Sequence, residues 1–525
     1  MLRILGLVLA AAIAIFVVLL IVTPLNGFIV ALIAIGAGLL LLAIYDLIQT
    51  RHAILRNFPI VGHLRYALES IGPELRQYIV TDNDEERPFS RDQRRWVYAT
   101  SKMENPYFGF GTDNRLEVPD YLVIRQSAFP VGGHHKIDDP LPPLKIMGEW
   151  RNREHAFRPD SIVNISAMSY GSLSGAAVEA INRGCAISGA VHNTGEGGIA
   201  DHHRHGGNLM FQIGTGYFGC RDKAGNFSLD KLVETISTAP VKSIEIKLSQ
   251  GAKPGLGGVL PGAKVTPEIA RVRGVEEGQT VISPSSHNAF SDIAGLIDFV
   301  ESIGDATGVP VGIKSAVGER QFWSELADAM KSSQRGPDFI SIDGGEGGTG
   351  AAPLVFSDHV SLPFRLGFAE VFTTFARRDM HEQVMWIGSG KLGFAQEALL
   401  AMNLGADMVA VAREAMLAIG CIQAQECHTG HCPTGVATQH KWLSHGLDPL
   451  NKGHRLANYV MSLRHEIRRL SNACGVVHPS LVPPGTIDLL ESPDSTISLL
   501  DRYCYNPEWR AVTDNAKETA VHLTS

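Results

Sequence analysis

The sequence lacks the features that mark secreted and nucleic-acid-binding proteins. It has seven cysteines in 525 residues, an odd number, and three of them fall in one short run. This count argues against a secreted disulfide framework and favours a reducing compartment. The formal net charge of −8 is spread along the chain, and no basic stripe indicates a nucleic acid partner. No GxGxxG fingerprint indicates a pyridine-nucleotide domain.

Charge is also missing from two stretches near the N-terminus. Ile4–Val22 and Phe28–Tyr45 carry none, and each approaches the roughly 20 residues that cross a bilayer as a helix. A signal peptide would be shorter, would end in a small-x-small cleavage site and would not be followed by a second apolar span. We therefore predict a two-helix transmembrane hairpin. Arg3 precedes it and Arg51 follows it, so both ends and the catalytic domain should face the cytoplasm, at the inner membrane.

Composition divides the chain into four regions. Residues 1–48 form the predicted hairpin, and residues 49–155 a polar, Arg-rich wrapping or linker region. Residues 156–480 form the predicted catalytic domain, and residues 481–525 a C-terminal tail. Hydrophobic content of 45% is enough for an ample core.

The central region alternates short β-rich runs with helical stretches. Eight such runs over about 250 residues predict a (β/α)8 TIM barrel rather than a doubly wound open sheet. The strand candidates are Ile162–Ala167, Ile187–His192, Ser243–Leu248, Thr280–Ser283, Val309–Lys314, Asp338–Ile342, Val384–Ile387 and Met408–Ala412. The helix candidates include Gly175–Arg183, Asp292–Ser302, Glu319–Met330 and Phe394–Leu404.

Glycine is abundant, and its 54 residues cluster after the predicted strands. The active face of a barrel lies at the strand C-termini, and glycine lets the backbone approach a ligand closely. Several such loops at one end predict a large anionic ligand, with a phosphate site in the loops after strands six to eight. The loops are Met168-SYGSLSG, Asn193-TGEGG, Gln250-GAKPGLGGVLPG, Asp343-GGEGGTGAAP and Gly388-SGKLG.

Three cysteines form a C-x5-C-x4-C run, Cys421-IQAQE-Cys427-HTGH-Cys432. Clustered thiolates suit an iron–sulfur cluster or another soft metal. Zinc is the alternative, with His428 or His431 completing a tetrahedral site. Spacing alone leaves both open, together with unrelated buried thiols.

These blocks together resemble the FMN-binding synthase domain of glutamate synthase. The matching pieces are Met168-SYGSLS, Ser188-GAVHNTGEGG, Ile246-KLSQGAKPG, Leu260-PGAKV, Ile282-SPSSH, Gly344-GEGGTGAAP and the cysteine run with its continuation PTGVATQ. They follow the family's order between about residues 160 and 440. Because an apolar anchor precedes this domain, the chain is most similar to the stand-alone, membrane-anchored branch, the FMN-binding glutamate synthase family proteins.

The resemblance implies FMN in the barrel mouth and a [3Fe-4S] cluster on Cys421, Cys427 and Cys432. It implies reduction of 2-iminoglutarate, formed from 2-oxoglutarate and ammonia, to glutamate. Glu196, Lys253 and Lys247 are then the catalytic candidates, and Lys247, Arg273 and Ser291 the substrate-binding ones. The implied cofactor-binding residues are Met168, Ser169, Asn193, Gln250, Lys253, Lys314, Gly347, Gly348, Thr349, Gly350, Gly388, Ser389 and Gly390.

The sequence departs from the family pattern at several positions, and these departures leave the substrate open. Val259 stands for a Gln and Leu256 for a Glu, so the substrate could be another keto acid or amine, as in an N-methylglutamate synthase-like subunit. Val411-AREAM replaces an aromatic, Gly-rich stretch.

No glutaminase nucleophile is evident, so nitrogen should arrive as ammonia, as an amine or from another subunit. The electron donor should be separate: a ferredoxin, a reductase subunit or a membrane donor. A membrane electron-transfer module without catalysis is the third interpretation.

Overall fold

A computed structural model describes residues 27–49, 52–80, 85–107, 109–133 and 135–524. The chain divides into two compact units, residues 1–90 and residues 91–525. The boundary between them falls inside the region that composition assigned to a wrapping segment. Each unit is described by itself below.

The described part of the first unit is helical. It contains α1 (Gly27–Ile48), α2 (Ala53–Asn57), α3 (Gly62–Leu75) and a π-helical turn at Arg76–Val80. Among the described residues, α1 is the one helix long and apolar enough to cross a membrane, with a mean hydropathy of 2.8 over its best window. The second predicted span therefore forms a helix. The first predicted span, Ile4–Val22, lies outside the described residues.

The second unit is built on a closed barrel of eight parallel strands, as predicted. Around the barrel in chain order these are β2, β3, β4, β5, β8, β9, β10 and β11. The strands among the described residues of the unit are β1 (Leu122–Ile124), β2 (Val163–Ile165), β3 (His192–Asn193), β4 (Leu209–Ile213), β5 (Val241–Lys247), β6 (Val259–Leu260), β7 (Val281–Ile282), β8 (Val311–Ala316), β9 (Phe339–Asp343), β10 (Met385–Ser389), β11 (Met408–Val411), β12 (Ile487–Ser492) and β13 (Ser495–Ser498).

Helices pack around the barrel and follow most of its strands. They are α4 (Arg91–Ser101), α5 (Gly175–Ser188), α6 (Leu229–Ile236), α7 (Pro267–Arg273), α8 (Ile293–Thr307), α9 (Arg320–Ser333), α10 (Leu354–His359), α11 (Phe364–Ala376), α12 (Ala395–Leu404), α13 (Arg413–Ala418), α14 (Lys441–His445), α15 (Pro449–Ala473), α16 (Leu499–Arg502) and α17 (Asp514–Thr524). The four predicted helices are confirmed in α5, α8, α9 and α12.

Two strand predictions are wrong in detail. Thr280–Ser283 is not a barrel strand, because its centre is β7, which pairs antiparallel with β6 in a separate two-stranded sheet. The missed barrel strand is β4, which is buried at all five positions. The predicted strand Ile187–His192 begins inside α5, which continues to Ser188. The strand proper is only the short β3.

The fold places polar residues above an apolar floor inside the barrel. A cluster of buried apolar side chains fills the interior and excludes water from it. Its members are Met147, Val191, Met210, Phe339, Met385, Ile387 and Met408. Above it, Glu245 accepts hydrogen bonds from Asn193 Nδ2 at 2.8 Å, from Gln212 Nε2 at 2.7 Å and from Ser341 Oγ at 2.7 Å. The carboxylate thus ties four strands together beneath the mouth.

The tail 481–525 is folded against the same unit. β12 pairs antiparallel with β1 on one side and with β13 on the other, which makes a three-stranded sheet. Tyr505, which is buried, donates a hydrogen bond from its hydroxyl to the carbonyl of Leu404 at 2.8 Å. These contacts hold the C-terminal segment on α12 of the barrel.

Candidate active site

The ends of β3 and β5 bring a carboxylate and a lysine together at the barrel mouth. Lys247 closes β5, and its Nζ donates to Glu196 Oε1 at 3.0 Å and to Gln250 Oε1 at 2.7 Å. The exposed fractions of the Lys247 and Glu196 side chains are 12% and 17%. Three residues predicted from two separate motifs therefore form one hydrogen-bonded cluster.

Glycines line the carboxylate of Glu196. A Cβ on Gly214 would lie 2.5 Å from Glu196 Oε2, and one on Gly258 would lie 3.1 Å from Oε1. Gly195 has a φ of +66°, and a Cβ there would lie 2.5 Å from the backbone nitrogen of Ser169. Glycine at these positions gives room to the carboxylate and to the loop that carries it.

Two further cations lie near Glu196. Lys253 is 4% exposed and donates from Nζ to the carbonyl of Gly257 at 3.2 Å. Burial and the charge of Lys247 lower the pKa of Lys253. Burial would raise the pKa of Glu196, but Lys247 outweighs this with its charge and hydrogen bond, and Lys253 and Arg273 add to it. The pKa of Glu196 therefore lies below its ordinary value, and the group is a carboxylate at neutral pH.

Arg273 is a buried member of this cluster rather than a solvated helix cap. It is 5% exposed, and its Nη2 donates to the carbonyl of Tyr170 at 2.9 Å. Its guanidinium lies over the ring of Phe218, 5.0 Å from the centroid, in cation–π contact. Burial lowers its pKa, and Glu196 opposes that effect. Its Nε is buried without a hydrogen-bond partner, so one donor can still be satisfied.

A buried histidine behind Lys247 was not predicted. His287 is 8% exposed, with Nε2 3.0 Å from the Lys247 carbonyl and Nδ1 3.1 Å from the hydroxyl of Tyr217. Burial lowers the pKa of His287. A carbonyl can only accept, so Nε2 carries the proton and Nδ1 accepts from Tyr217. His287 therefore positions the end of β5. The quoted block Ile282-SPSSH contained it, but no signal in the sequence gave it a partner.

Lys314 and Asp343 form a second charged pair at the mouth. Lys314 Nζ lies 3.5 Å from Asp343 Oδ1 and donates to Ser166 Oγ at 3.3 Å. Asp343 Oδ2 accepts the N–H of Gly251 at 2.8 Å. A Cβ on Gly251 would lie 1.8 Å from the carbonyl oxygen of Gly344, so a side chain there would force these two loops apart. The pair thus joins the loops that follow β5 and β9.

The glycine loop Gly347–Gly350 lies beside a cation that the sequence had not indicated. A Cβ on Gly348 would lie 2.9 Å from Cδ of Arg413, the first residue of α13 after the last barrel strand. Arg413 also donates to the carbonyl of Glu346. Gly348, Thr349 and Gly350 are exposed. An exposed glycine loop next to a guanidinium fits a phosphate group.

Neighbouring loops adjoin this one. The N–H of Gly344 donates to the carbonyl of Ser389 at 2.7 Å, and a Cβ on Gly388 or Gly390 would meet Phe364 at 2.9 Å. Ser389 is buried. These contacts bring the loops after β9 and β10 together at one edge of the mouth.

The remaining predicted residues lie in the loop after the first barrel strand, just before α8 and on β6. Met168 is buried at the end of the first barrel strand, and Ser169 Oγ hydrogen-bonds Ser172 Oγ at 3.0 Å, beside Gly195. Ser291 is exposed just before α8, and its contact with substrate stays a prediction. Val259 is 46% exposed on β6. Ser283, which was not singled out, is buried, and its Oγ lies 3.4 Å from where a Gly258 Cβ would stand.

The three cysteines of the run are free thiols in one loop region. The N–H of Gln423 donates to Cys421 Sγ at 3.4 Å. Burial raises the pKa of Cys421 to about 12, with smaller contributions from the other two thiols, and burial also raises the pKa of Cys427. Burial would raise the pKa of Cys432 as well, but N–H groups of Ala437, Thr434 and Val436 and the Thr434 hydroxyl lower it below its ordinary value.

Three thiols with N–H donors to the sulfurs of Cys421 and Cys432 are a donor set that suits an iron–sulfur cluster. Within the described ranges, no three His, Cys, Asp or Glu side chains converge closely enough to share one metal ion. A cluster with one thiolate per iron spreads its ligands further apart, and N–H donors to sulfur stabilise cluster-bound thiolates. His431 is exposed, and its Nδ1 lies 3.1 Å from the Thr429 carbonyl instead of near the thiols.

The sequence matches known proteins across this whole region. Residues 143–477 match the conserved region in glutamate synthase. The glutamate synthase large subunit-like protein YerD of Bacillus subtilis is 38% identical over 495 residues, which cover 87% of this chain and 94% of that protein. The chain belongs to the glutamate synthase family. Members of this family are enzymes, oxidoreductases that transfer amine groups.

Other members match a shorter part of the chain. The archaeal glutamate synthase [NADPH] of Methanocaldococcus jannaschii is 36% identical over 326 residues, 60% of this chain and 59% of its own length. The ferredoxin-dependent glutamate synthase of Cyanidium caldarium is 34% identical over 329 residues, which are 59% of this chain and 20% of that protein. These two matches therefore cover about three fifths of this chain.

Proposed function

We propose that the protein forms glutamate by reductive amination of 2-oxoglutarate with ammonia, using FMN in the barrel mouth and a [3Fe-4S] cluster on Cys421, Cys427 and Cys432. The observation that carries this proposal is the group of three cations, Lys247, Lys253 and Arg273, around Glu196. A dicarboxylate brings two negative charges, and buried cations bind such groups strongly because little water competes.

The chain's own residues divide the work at the mouth. Lys253 and Arg273 would pair with the two carboxylates of the substrate, and the unpartnered Nε of Arg273 offers one donor. Lys247 donates a hydrogen bond to Glu196 Oε1, so Oε2 is the oxygen that is available for proton transfer. This oxygen would take a proton from ammonia as ammonia adds to the keto carbon, and it would then give a proton to the hydroxyl that leaves as water. When bound, FMN would supply hydride to the imine carbon and the cluster would supply its electrons.

The cofactor-binding assignments follow the loop contacts. Arg413 and the loop Gly347–Gly350 would hold the phosphate of FMN, and Lys314 with Asn193 and Ser389 would face the ring system from the barrel interior. Lys314 is 6% exposed, donates to Ser166 and is paired with Asp343, so a buried cation with its counter-ion lies at this end of the barrel interior. A buried cation of this kind favours a ring that carries negative charge.

The first experiment uses the purified full chain in detergent. It should show a flavin spectrum that bleaches with dithionite, and it should form glutamate from 2-oxoglutarate, ammonia and an artificial reductant. Protein that stays colourless after reconstitution with FMN, iron and sulfide would refute the proposal.

Substituting Lys253 tests the dicarboxylate contact. Lys253→Ala should raise KM for 2-oxoglutarate by roughly 10- to 100-fold, since hydrogen bonds to charged groups contribute about 1.5–3 kcal/mol. Lys223→Ala, which removes an exposed lysine, is the control and should leave KM unchanged. An unchanged KM in Lys253→Ala would remove this residue from the substrate site.

A related amine-transferring activity is the second candidate. Leu256 lies in the turn that carries Lys253, and its N–H donates to the Lys253 carbonyl at 3.4 Å. An apolar residue at this place could accept an altered amine. Turnover with methylamine faster than with ammonia would favour an N-methylglutamate synthase-like activity. A non-catalytic electron-transfer module is disfavoured, because electron transfer alone needs no group of cations around Glu196.

We also propose that the chain is anchored at the inner face of the cytoplasmic membrane. The helix α1 is consistent with one span, and the segment Ile4–Val22 is the predicted second span. The electron donor would be a separate ferredoxin, reductase subunit or membrane donor.

A further inference from the structure

A polar cavity lies between the C-terminal half of α15 and the loop that precedes the barrel. Its volume is about 190 Å³. Its lining residues are Gly133, His135, His465, Arg468, Arg469 and Asn472. None of these belongs to the motifs of the catalytic site. The lining is basic, with two arginines and two histidines.

Three polar groups of this cavity are buried without a hydrogen-bond partner. They are His465 Nδ1, Arg468 Nε and Asn472 Oδ1. Arg468 is 3% exposed and Asn472 is 9% exposed. Leaving buried polar groups unpaired costs about 1–3 kcal/mol each, so an occupant that satisfies the two nitrogens is favoured.

The charges around the cavity select an anion. Arg468 Nη1 lies 3.6 Å from Asp139 Oδ2, and His135 Nδ1 lies 3.9 Å from the same oxygen. Arg468 also donates to the carbonyl of Pro140. Asp139 thus offsets part of the charge of Arg468, and Arg469 adds a second cation to the lining. Burial lowers the pKa of both histidines, and Arg468 lowers it further, so each imidazole is neutral at pH 7 and has one N–H to donate.

The size of the cavity limits the ligand. At about 30 Å³ per water, it holds roughly six waters. It is smaller than the ~300–1,000 Å³ pockets that enclose drug-sized ligands. A tetrahedral oxyanion fits within this volume.

We propose that this cavity is a binding site for a single phosphate group, held by Arg468 and Arg469 with His135 and His465. Free phosphate and the phosphate of a small monoester present the same chemistry. The site is separate from the catalytic cluster and does not depend on the function proposed above.

Calorimetry and thermal unfolding of the purified full chain test this site, with inorganic phosphate and glycerol phosphate as separate titrants at constant ionic strength. FMN should be saturating throughout, so that its own phosphate site is filled. Phosphate should bind and raise the melting temperature, whereas chloride should not. Tighter binding of glycerol phosphate than of phosphate would identify a monoester as the source.

Two variants and one control variant test whether phosphate binds in this cavity. Arg469→Gln, which changes an exposed lining residue and spares the fold, should weaken phosphate about tenfold. Arg468→Gln should abolish measurable binding. Arg335→Gln, which removes a cation paired with Asp298 elsewhere on the surface, should bind like the parent. Equal affinity in Arg469→Gln and the parent, or no phosphate effect beyond that of chloride, would overturn the proposal.

Discussion

The ion pair between Lys247 and Glu196 is the residue-scale feature that sets the chemistry of the mouth. The two residues are 51 positions apart in the sequence, and Lys247 Nζ lies 3.0 Å from Glu196 Oε1. Without the lysine, Glu196 would lose the largest effect that opposes burial, and only Lys253 and Arg273 would still lower its pKa. The pair is therefore the main reason that the pKa of Glu196 lies below its ordinary value.

The effect of Lys247→Gln on the free energy of unfolding should depend on pH. In the parent, the lowered pKa of Glu196 contributes stability above the unfolded pKa, near 4, and that contribution is lost as pH falls through the folded pKa. In the variant the buried carboxylate is unpaired at neutral pH, and we expect unfolding at pH 7 to become easier by about 2 kcal/mol.

The loss in Lys247→Gln should shrink at pH 5, where the raised pKa lets Glu196 take up a proton. Urea unfolding followed by circular dichroism at pH 5 and pH 7 measures it. Lys242→Gln, on the same strand, is the control. Equal losses at both pH values would mean that the lysine acts through packing alone.

Part of the site could be predicted at this scale, and part could not. Glu196, Lys247 and Lys253 were predicted because the motifs that carry them resemble those of the glutamate synthase family, and the structure brings the three side chains near one another. His287 and Arg413 were missed because their partners, the Lys247 carbonyl and Gly348, are 40 and 65 positions away. A contact of that kind leaves no local pattern in the sequence.

At the scale of elements, α5 and α15 pack through glycines. A Cβ on Gly184 of α5 would lie 2.7 Å from Leu456 Cβ and 2.9 Å from the carbonyl of Gly453, both on α15. The start of α5 is fixed by Ser174, which accepts the N–H of Ala177, and its end by Gly189 with a φ of +73°. This close crossing holds the first barrel helix against α15.

Gly184→Val should destabilise the protein by about 3 kcal/mol, because the added methyl groups force these backbones apart. The melting temperature should fall by several degrees. Ala186→Val, at an exposed position of the same helix, should cost only about 0.7 kcal/mol of helix propensity. Similar melting temperatures for the two variants would show that α5 can move away from α15 freely.

The barrel itself was predicted, but one of its strands was not. β4 was missed because the segment before it contains only a short 3₁₀ turn, Asp201–His203, where an alternating pattern leads one to expect a helix. Val281 and Ile282 have the composition of a strand and form one, but pair with β6 outside the barrel. Composition indicates that a strand forms without indicating its partner.

At the scale of the whole molecule, α1 is set apart by its exposed apolar side chains. Phe28, Leu32, Ile35 and Leu41 are each more than half exposed. In water such a surface is unfavourable, and a bilayer would cover it.

Replacing residues 1–48 with a polar linker of equal length should move the protein from the membrane to the soluble fraction. The full chain should stay in the pellet after a carbonate wash, because its apolar helix resists extraction. The control, Ile35→Ala with Leu39→Ala, keeps the span apolar and should also stay. A full chain that carbonate releases would contradict the anchor.

The glycine loop Gly347–Gly350 also lies against the cysteine loop, which links flavin binding to the supply of iron in the cell. Gly350 lies so close to Cys427 that a Cβ there would be 2.9 Å from the cysteine's carbonyl carbon. The proposed phosphate loop and the proposed cluster loop therefore support each other, and losing order in one should loosen the other. Protein made during iron starvation should then be cut by proteases near Thr349 and lose flavin even when riboflavin is plentiful. Iron supply would in this way control how much flavoprotein accumulates.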